Sequence, residues 1–412
     1  MVHVPTISRA GAAAPVPSAP ASSGEPAGRR LEPVDAPLAG LVLRGLVLTF
    51  ATLGLYRFWY RTALRRYYWG QTRLLGDAFE YTGTGRELFI GFLIALAIIV
   101  PINLAVTLLG LFGGALFGPF LSSFVALVLV PALVQIALYR ARRYRLSRTR
   151  FRGIRFRQGG TGTAYLARTV KWLLIAGATF GILLPYLRAA QERYKIDNTW
   201  FGSAQGAFEA RIRPLMGPWI ACWLTALCTL AGFAAAILML LGGNVALAAG
   251  AALFGGLALI TLPFLWMNYR VREFRAFTGG TRLGPLAFRA DLALWPVIGI
   301  FLRYALALGL VVLAAAAALL AGGGADAGVE GAAEALARSG PGGWIVLAGG
   351  ALAALLAAAF LGEFLLRRPL WRRMAASVTV LNAAALDAIV QTAQQDSRGI
   401  GEAFDTGFDL PV

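Results

Sequence analysis

The sequence predicts an all-α polytopic membrane protein: six firm transmembrane helices in three hairpins, two shorter or re-entrant membrane segments, and internal repeats. Three observations carry this. Six stretches stay apolar over the about 20 residues that a hydrocarbon core demands. Of 412 residues, 58% are hydrophobic and 14% charged, where soluble domains carry roughly 25% charged residues. A basic, aromatic tract also recurs at the ends of apolar runs, as expected where a helix leaves the bilayer and continues along its surface.

The tract is anchored on a threonine. Counting back from Thr72, Arg66 lies six residues before it, Tyr67 five and Gly54 eighteen. The same offsets from Thr149 give Arg143, Tyr144 and Pro131, and from Thr199 they give Arg193, Tyr194 and Gly181. From Thr281 they give Arg275 and Pro263, and a fainter fifth copy joins Arg373 to Thr379. The threonines are expected to cap or end interfacial helices, with Arg66, Arg143, Arg193 and Arg275 turned to headgroups or nearby acids. The third copy departs after Thr199, where WFGSAQGAF adds two residues before Phe208, and the fifth is eroded.

In chain order, residues 1–37 are rich in Ala, Pro, Ser and Gly and read as a disordered tail without a signal peptide. The six apolar runs follow at 88–110, 119–138, 218–241, 245–268, 293–321 and 344–366. They pair through connectors at 111–118, 242–244 and 322–342, the last holding Asp326, Glu330, Glu334 and Arg338. The tract 139–169 carries ten arginines and no acid, and 268–292 carries five basic residues against two acids. The positive-inside rule places these tracts in the cytoplasm and the connectors outside. Residues 38–378 thus form a membrane domain and 379–412 a cytoplasmic C-terminal tail.

Two apolar segments, 38–60 and 170–187, resist simple alternation. The second starts just after a basic loop and runs into another, so it reads as re-entrant or interfacial. The first spans if the tail is outside and lies shallow if it is inside; Arg44 favours shallow insertion by snorkelling. Between Thr72 and the next helix, alternation in LLGDAFEYT suggests a short strand. Thr84 followed by Glu87 is a capping box for that helix.

The net charge of +18 flanks apolar runs and forms no single stripe, which points to anionic lipid headgroups and away from nucleic acid. Catalytic constellations are missing. The one histidine, His3, lies in the N-terminal tail, and no Asp falls within the six runs. Cys222 and Cys228 lie six apart and face different sides of a helix. Neither metal nor cofactor is implied. Two charges inside the runs are candidates of their own. Arg303 is expected to face the bundle interior with a polar partner. Glu363, four residues before Arg367, is expected to form a helix-end ion pair.

At TLGLYRFWYRTALRRYYWGQTRLLGDAFEYTGTGRELFIGFLIAL the chain resembles the YjgN-like bacterial inner-membrane proteins, domain of unknown function 898. The shared features are a TLGIY-like exit, an Arg-aromatic stretch, a Gly-x-x-Phe and TG-x-G-x-E-L-F; the C-terminal GEAFDTGFDL is similar too. The resemblance implies a multi-pass inner-membrane protein and supplies no substrate or catalytic residue. The expectation is a non-enzymatic protein of transport or of lipid or small-solute handling, with a structural or scaffold protein as the alternative.

Overall fold

The computed structural model describes residues 28–112, 120, 123–323 and 340–391. It overturns the all-α expectation, because the recurring tracts run into a sheet. Four hairpins are built alike: β3 (Thr72–Leu74) with β4 (Asp77–Tyr81), β5 (Thr149–Phe151) with β6 (Ile154–Gln158), β7 (Thr199–Phe201) with β8 (Ala204–Phe208), and β9 (Thr281–Leu283) with β10 (Leu286–Ala290). Each has a two-residue turn. Leu75–Gly76 and Arg152–Gly153 have positive φ at both positions; Gly202 and Gly284 have it at the first, before Ser203 and Pro285. Such turns match the right-handed twist of paired strands. The third hairpin is no longer than the others. Phe208 closes its second strand opposite Thr281, just as Tyr81 lies opposite Thr149 and Gln158 opposite Thr199, so the register is kept, nothing is inserted, and Phe208 is the counterpart of Tyr81 and not of Phe79.

The strands run as an antiparallel meander that a single segment closes. Its first half, β1 (Arg29–Arg30), pairs with β11 (Val378–Leu381); its second half, β2 (Glu32–Pro33), pairs with β3. The eleven-stranded sheet is therefore nearly a barrel. The tail expected over 1–37 contains this seam, and the tail expected from 379 begins within β11. Neither expectation allowed for pairing partners far away in sequence.

Alternate residues point into the barrel: Leu74, Phe151, Phe201, Leu283 and Val380 form one buried cluster, with Phe79, Phe156 and Phe288 packed against it. Phe79 stacks on Phe151 and Phe156 lies against Phe201, each pair with centroids 4.6 Å apart. Burial of each such side chain contributes roughly 2–3 kcal/mol. Asn382, in the left-handed region, turns the chain from β11 into a short 3-10 helix, Ala383–Ala388. Ala383, Leu386 and Ile389 then plug the barrel at its turn end, where Ser203 N–H donates to the Val390 carbonyl at 3.0 Å.

Helices join neighbouring strands in pairs: α1 (Ala39–Ala51) and α2 (Arg57–Gly70), α3 (Gly85–Phe112) and α4 (Val130–Ser147), α5 (Gly162–Ala178) and α6 (Leu184–Asp197), α7 (Arg213–Leu241) and α8 (Val245–Gly279), α9 (Leu294–Gly323) and α10 (Gly340–Leu361), with α11 (Arg368–Ser377) leading into β11. Because the joined strands are antiparallel neighbours, every pair leaves and rejoins the barrel at one rim, and the hairpin turns occupy the other.

Among the described residues, five helices are long and apolar enough to cross a membrane, not six hairpin-paired spans: 85–108, 213–241, 245–279, 294–317 and 348–377. The run 119–138 lies partly outside the described residues, as do the connectors 111–118 and 322–342. The α7–α8 pair is the most intimate, since a Cβ on Gly232 would lie 2.7 Å from the Gly255 Cα. Small residues let helix backbones approach in this way.

The segments 38–60 and 170–187 belong to two shorter helical hairpins with one common turn. In TLGLY and TFGIL, Leu53 and Phe180 have φ near +51°, each followed by a positive-φ glycine. Thr52 Oγ1 donates to the Leu48 carbonyl and accepts from Tyr56 N–H; Thr179 repeats this with Ile175 and Leu183. The tips are apolar and bare, Leu53 being 93% exposed and Phe180 84%. With 13 residues α1 reaches about 20 Å, short of a hydrocarbon core of roughly 30 Å.

Candidate functional site

The anchor threonines sit where helix becomes strand. Thr72, Thr149, Thr199 and Thr281 each donate from Oγ1 to the carbonyl four residues back, at 2.9, 2.8, 2.7 and 2.8 Å. One of the carbonyls left open at each helix end is satisfied by this contact. Thr379 lies inside β11. Arg66 donates to the Gly83 carbonyl at 3.1 Å and Arg275 to that of Leu292 at 2.6 Å, in both cases 17 residues on, so each latches the loop that opens the next helix. Arg143 and Arg193 make no equivalent bond among the described residues.

Glu363 is 1% exposed, accepts from Tyr68 OH at 2.7 Å and pairs with Arg367 at 2.9 Å. Arg303 departs from expectation. It is exposed on α9, and its Nε donates to the Gly299 carbonyl of its own helix at 3.0 Å. It lies about 14 Å from the start of α9, close enough to the barrel-side end for its long side chain to snorkel.

The residues that converge are others. Counted from the anchors, positions −11, −7 and −4 share one helical face, and that face turns inward above the barrel rim. They are Arg61, Arg65 and Tyr68 on α2; Arg142 and Arg145 on α4; Arg188, Glu192 and Lys195 on α6; and Arg270 on α8. Lys195 pairs with Glu192 at 2.7 Å, and Arg142 stands 4.0 Å from the same carboxylate. Arg188 reaches across to Glu273 at 2.7 Å, where Arg270 also binds. On the other side Arg65 donates to Tyr81 OH at 3.4 Å.

Cations outnumber carboxylates at this junction. Around Glu192 stand Lys195, Arg142 and Arg188, while Arg145 meets the like charges of Arg65 and Arg142, opposed in part by the Tyr81 hydroxyl. Burial, reinforced by those two guanidiniums, pushes the Arg145 pKa down to about 10. Burial alone would raise the pKa of Glu192, but Lys195 and Arg142 hold it below the ordinary value. Burial lowers that of Lys195 despite its partner.

Gln158, at the end of β6, is 1% exposed, and its amide makes no well-formed hydrogen bond, with the Tyr139 hydroxyl as the group beside it; Arg142, Arg148 and Arg150 each have a buried Nε without a partner. Next to it Tyr139, Tyr165 and Tyr194 form a buried aromatic cluster. A Cβ on Gly160, whose φ is +76°, would lie 2.8 Å from two of their hydroxyls. Sequence counting missed this group because it tracked the repeated −6 position; the i, i+4, i+7 spacing of Arg188, Glu192 and Lys195 was the available signal.

Two surface grooves flank α2. One, of about 510 Å³, is lined by Gly40, Leu41, Arg44, Gly45, Tyr56, Tyr60 and Ala63. The other, of about 240 Å³, includes Trp59, Arg66 and Arg86 at the start of α3. Thr84 and Glu87 there form the reciprocal capping box, with both bonds at 3.3 Å. No group of His, Cys, Asp and Glu among the described residues could hold a metal ion. Cys222 is buried and Cys228 exposed, both unpaired.

No curated protein and no solved structure matches the chain. The family model described as bacterial protein of unknown function (DUF898) matches residues 36–407, almost the whole length of the described fold, and the chain belongs to that family.

Proposed function

We propose that the chain is a multi-pass protein of the bacterial inner membrane that handles lipid or a small solute at the cytoplasmic face without catalysing a reaction. On this reading the barrel lies in the cytoplasm, because the rim where all helical pairs begin and end carries the arginine-rich tracts. The tracts are then copies of one unit, each with a strand pair and a pair of helices. The five long apolar helices cross the bilayer; α1–α2 and α5–α6 enter it and return.

One observation favours lipid handling. The short α1–α2 pair ends in bare apolar residues and has beside it a groove of about 510 Å³ walled by Leu41, Tyr56 and Tyr60, with the Arg44 side chain at its lip. Apolar walls with one cation suit an acyl chain and its phosphate. Native mass spectrometry of the purified protein tests this: the wild type should retain phospholipid, and Arg44→Ala with Tyr60→Ala should lose it. Equal retention by the variant would count against the reading. A second reading, a scaffold that organises anionic lipid or partner proteins, draws support from the barrel, whose lumen is filled by side chains and plugged.

A further inference from the structure

We propose that the groove between α2 and the first turn of α3 holds a phosphate group, carried on a lipid headgroup or free, between Arg66 and Arg86. The inference rests on the reading of α3 as a helix that crosses the bilayer, and it is independent of the α1–α2 groove.

Arg66 and Arg86 line one groove of about 240 Å³, with Trp59 and Ala63 in its apolar wall. Both arginines are exposed. Arg66 uses one donor on the Gly83 carbonyl at 3.1 Å, which fixes its guanidinium and leaves the remaining N–H groups of the fork for a ligand. Arg86 makes no hydrogen bond or ion pair among the described residues. Its neighbour Glu87 cannot neutralise it, being fully engaged on the other side: Arg148 holds Oε1 at 2.7 Å, and Oε2 accepts from Tyr144 OH and Thr84 N–H. Two guanidiniums thus line one groove with no acid among the lining residues. A tetrahedral oxyanion accepts from two such forks at once.

Location supplies the class of ligand. The apolar stretch 85–108 of α3 is long enough to cross a membrane, and the groove lies at its start, which on this reading is the level of the phosphate layer. Trp59, 39% exposed and packed against Tyr56 and Phe89, stands there as aromatic side chains do at membrane boundaries. The volume is below the roughly 300–1,000 Å³ of sites that enclose a whole small molecule, so it suits a headgroup whose acyl chains stay in the bilayer. The arginine pair is also selective among the tracts. Counted from the anchor threonines, arginine stands at −6 and +14 in the first and third tracts, as Arg66 with Arg86 and Arg193 with Arg213. The second and fourth tracts have Thr163 and Trp295 at +14. The pair is therefore present where the hairpin entering the tract is a short one, α1–α2 or α5–α6. A general excess of cytoplasmic positive charge gives no reason for that distinction.

The test uses the full-length protein, delipidated in detergent, and native mass spectrometry. The probes are dioctanoyl phosphatidylglycerol, dioctanoyl phosphatidylcholine and inorganic phosphate. Phosphatidylglycerol should bind the wild type more tightly than phosphatidylcholine, whose choline cation meets the two arginines. Displacement of the lipid by inorganic phosphate identifies a free anion as sufficient; failure to compete identifies the headgroup. Arg86→Gln, at an exposed position without another partner, should weaken binding about tenfold or more, and Arg86→Glu should abolish it. Arg66→Lys keeps a donor for the Gly83 carbonyl but loses the fork, and should weaken binding as well. Arg289→Gln, which removes an exposed charge from β10, should leave it unchanged. So should Arg44→Ala with Tyr60→Ala: loss in that variant but not in Arg86→Glu places the lipid in the α1–α2 groove, which overturns this inference and leaves the proposed function standing. The inference is also overturned if neither phosphatidylglycerol nor phosphate binds the wild type, which means two solvated arginines only, or if Arg289→Gln loses as much as Arg86→Gln.

Discussion

Arg145→Met should make the ligand-free protein more stable. The drop in the Arg145 pKa from the ordinary guanidinium value to about 10 corresponds, at about 1.4 kcal/mol per pH unit, to a cost of about 3 kcal/mol for keeping the guanidinium charged in the folded chain. The sign follows from linkage. The folded chain holds this proton less tightly than the unfolded chain, so the cost is full below about pH 10 and is relieved only as pH climbs from there toward the ordinary guanidinium value. Methionine keeps an unbranched apolar stem that can fill the same space. After allowance for lost packing, the gain should be about 1–3 kcal/mol and constant between pH 6 and 9. Thermal unfolding in phosphate-free detergent, compared across that range, measures it. A variant less stable than the wild type at every pH would refute the reasoning, because Arg145 would then have a compensating partner.

Other expectations follow from the same contacts. Glu273→Ala strands Arg188, Arg270 and the Tyr269 hydroxyl beside a nearly buried position and should cost about 3 kcal/mol in chemical denaturation; adding Arg188→Ala should recover part of the loss. Because the Glu192 pKa is held low, its ion pair contributes stability at pH above about 4.5 that is lost as pH falls through the lower folded value. Acid titration of Glu192→Gln should lack that component. Gly232→Leu should separate α7 from α8 and cost about 2 kcal/mol or more in thermal unfolding, whereas Gly256→Ala, with open space around its Cβ, should be neutral.

The helices were legible because apolar runs announce themselves: the run 218–241 falls within Arg213–Leu241 and 245–268 within Val245–Gly279. The strands were not, being three to five residues long, below the length at which alternation stands out. LLGDAFEYT was readable as extended, but in TRFRGIRFRQ the alternation of Phe and Ile with Arg looked like a run of charge. The seam at Arg29–Pro33 has no strand signal of its own; pairing with β11 and β3 makes it. The site was half legible. The tracts were found, and the threonines do end the helices, yet the −6 arginines turn to loop carbonyls while the inward face runs through Arg142, Arg145 and Glu192. Arg303 misled because a charge inside the apolar run 293–321 reads as buried, whereas the helix turns it to its exposed side.

The central claim is that all helical pairs rise from one cytoplasmic rim of the barrel, with α1–α2 and α5–α6 returning before they cross. Single cysteines in a background lacking Cys222 and Cys228 test it most directly, using a membrane-impermeant maleimide on intact cells. The account predicts labelling of Gly242→Cys, in the turn between α7 and α8, and protection of Ser203→Cys at the barrel's far rim and of Phe180→Cys at the tip of α5–α6. After permeabilisation, Ser203→Cys should react. Labelling of Ser203→Cys or Phe180→Cys in intact cells would contradict it.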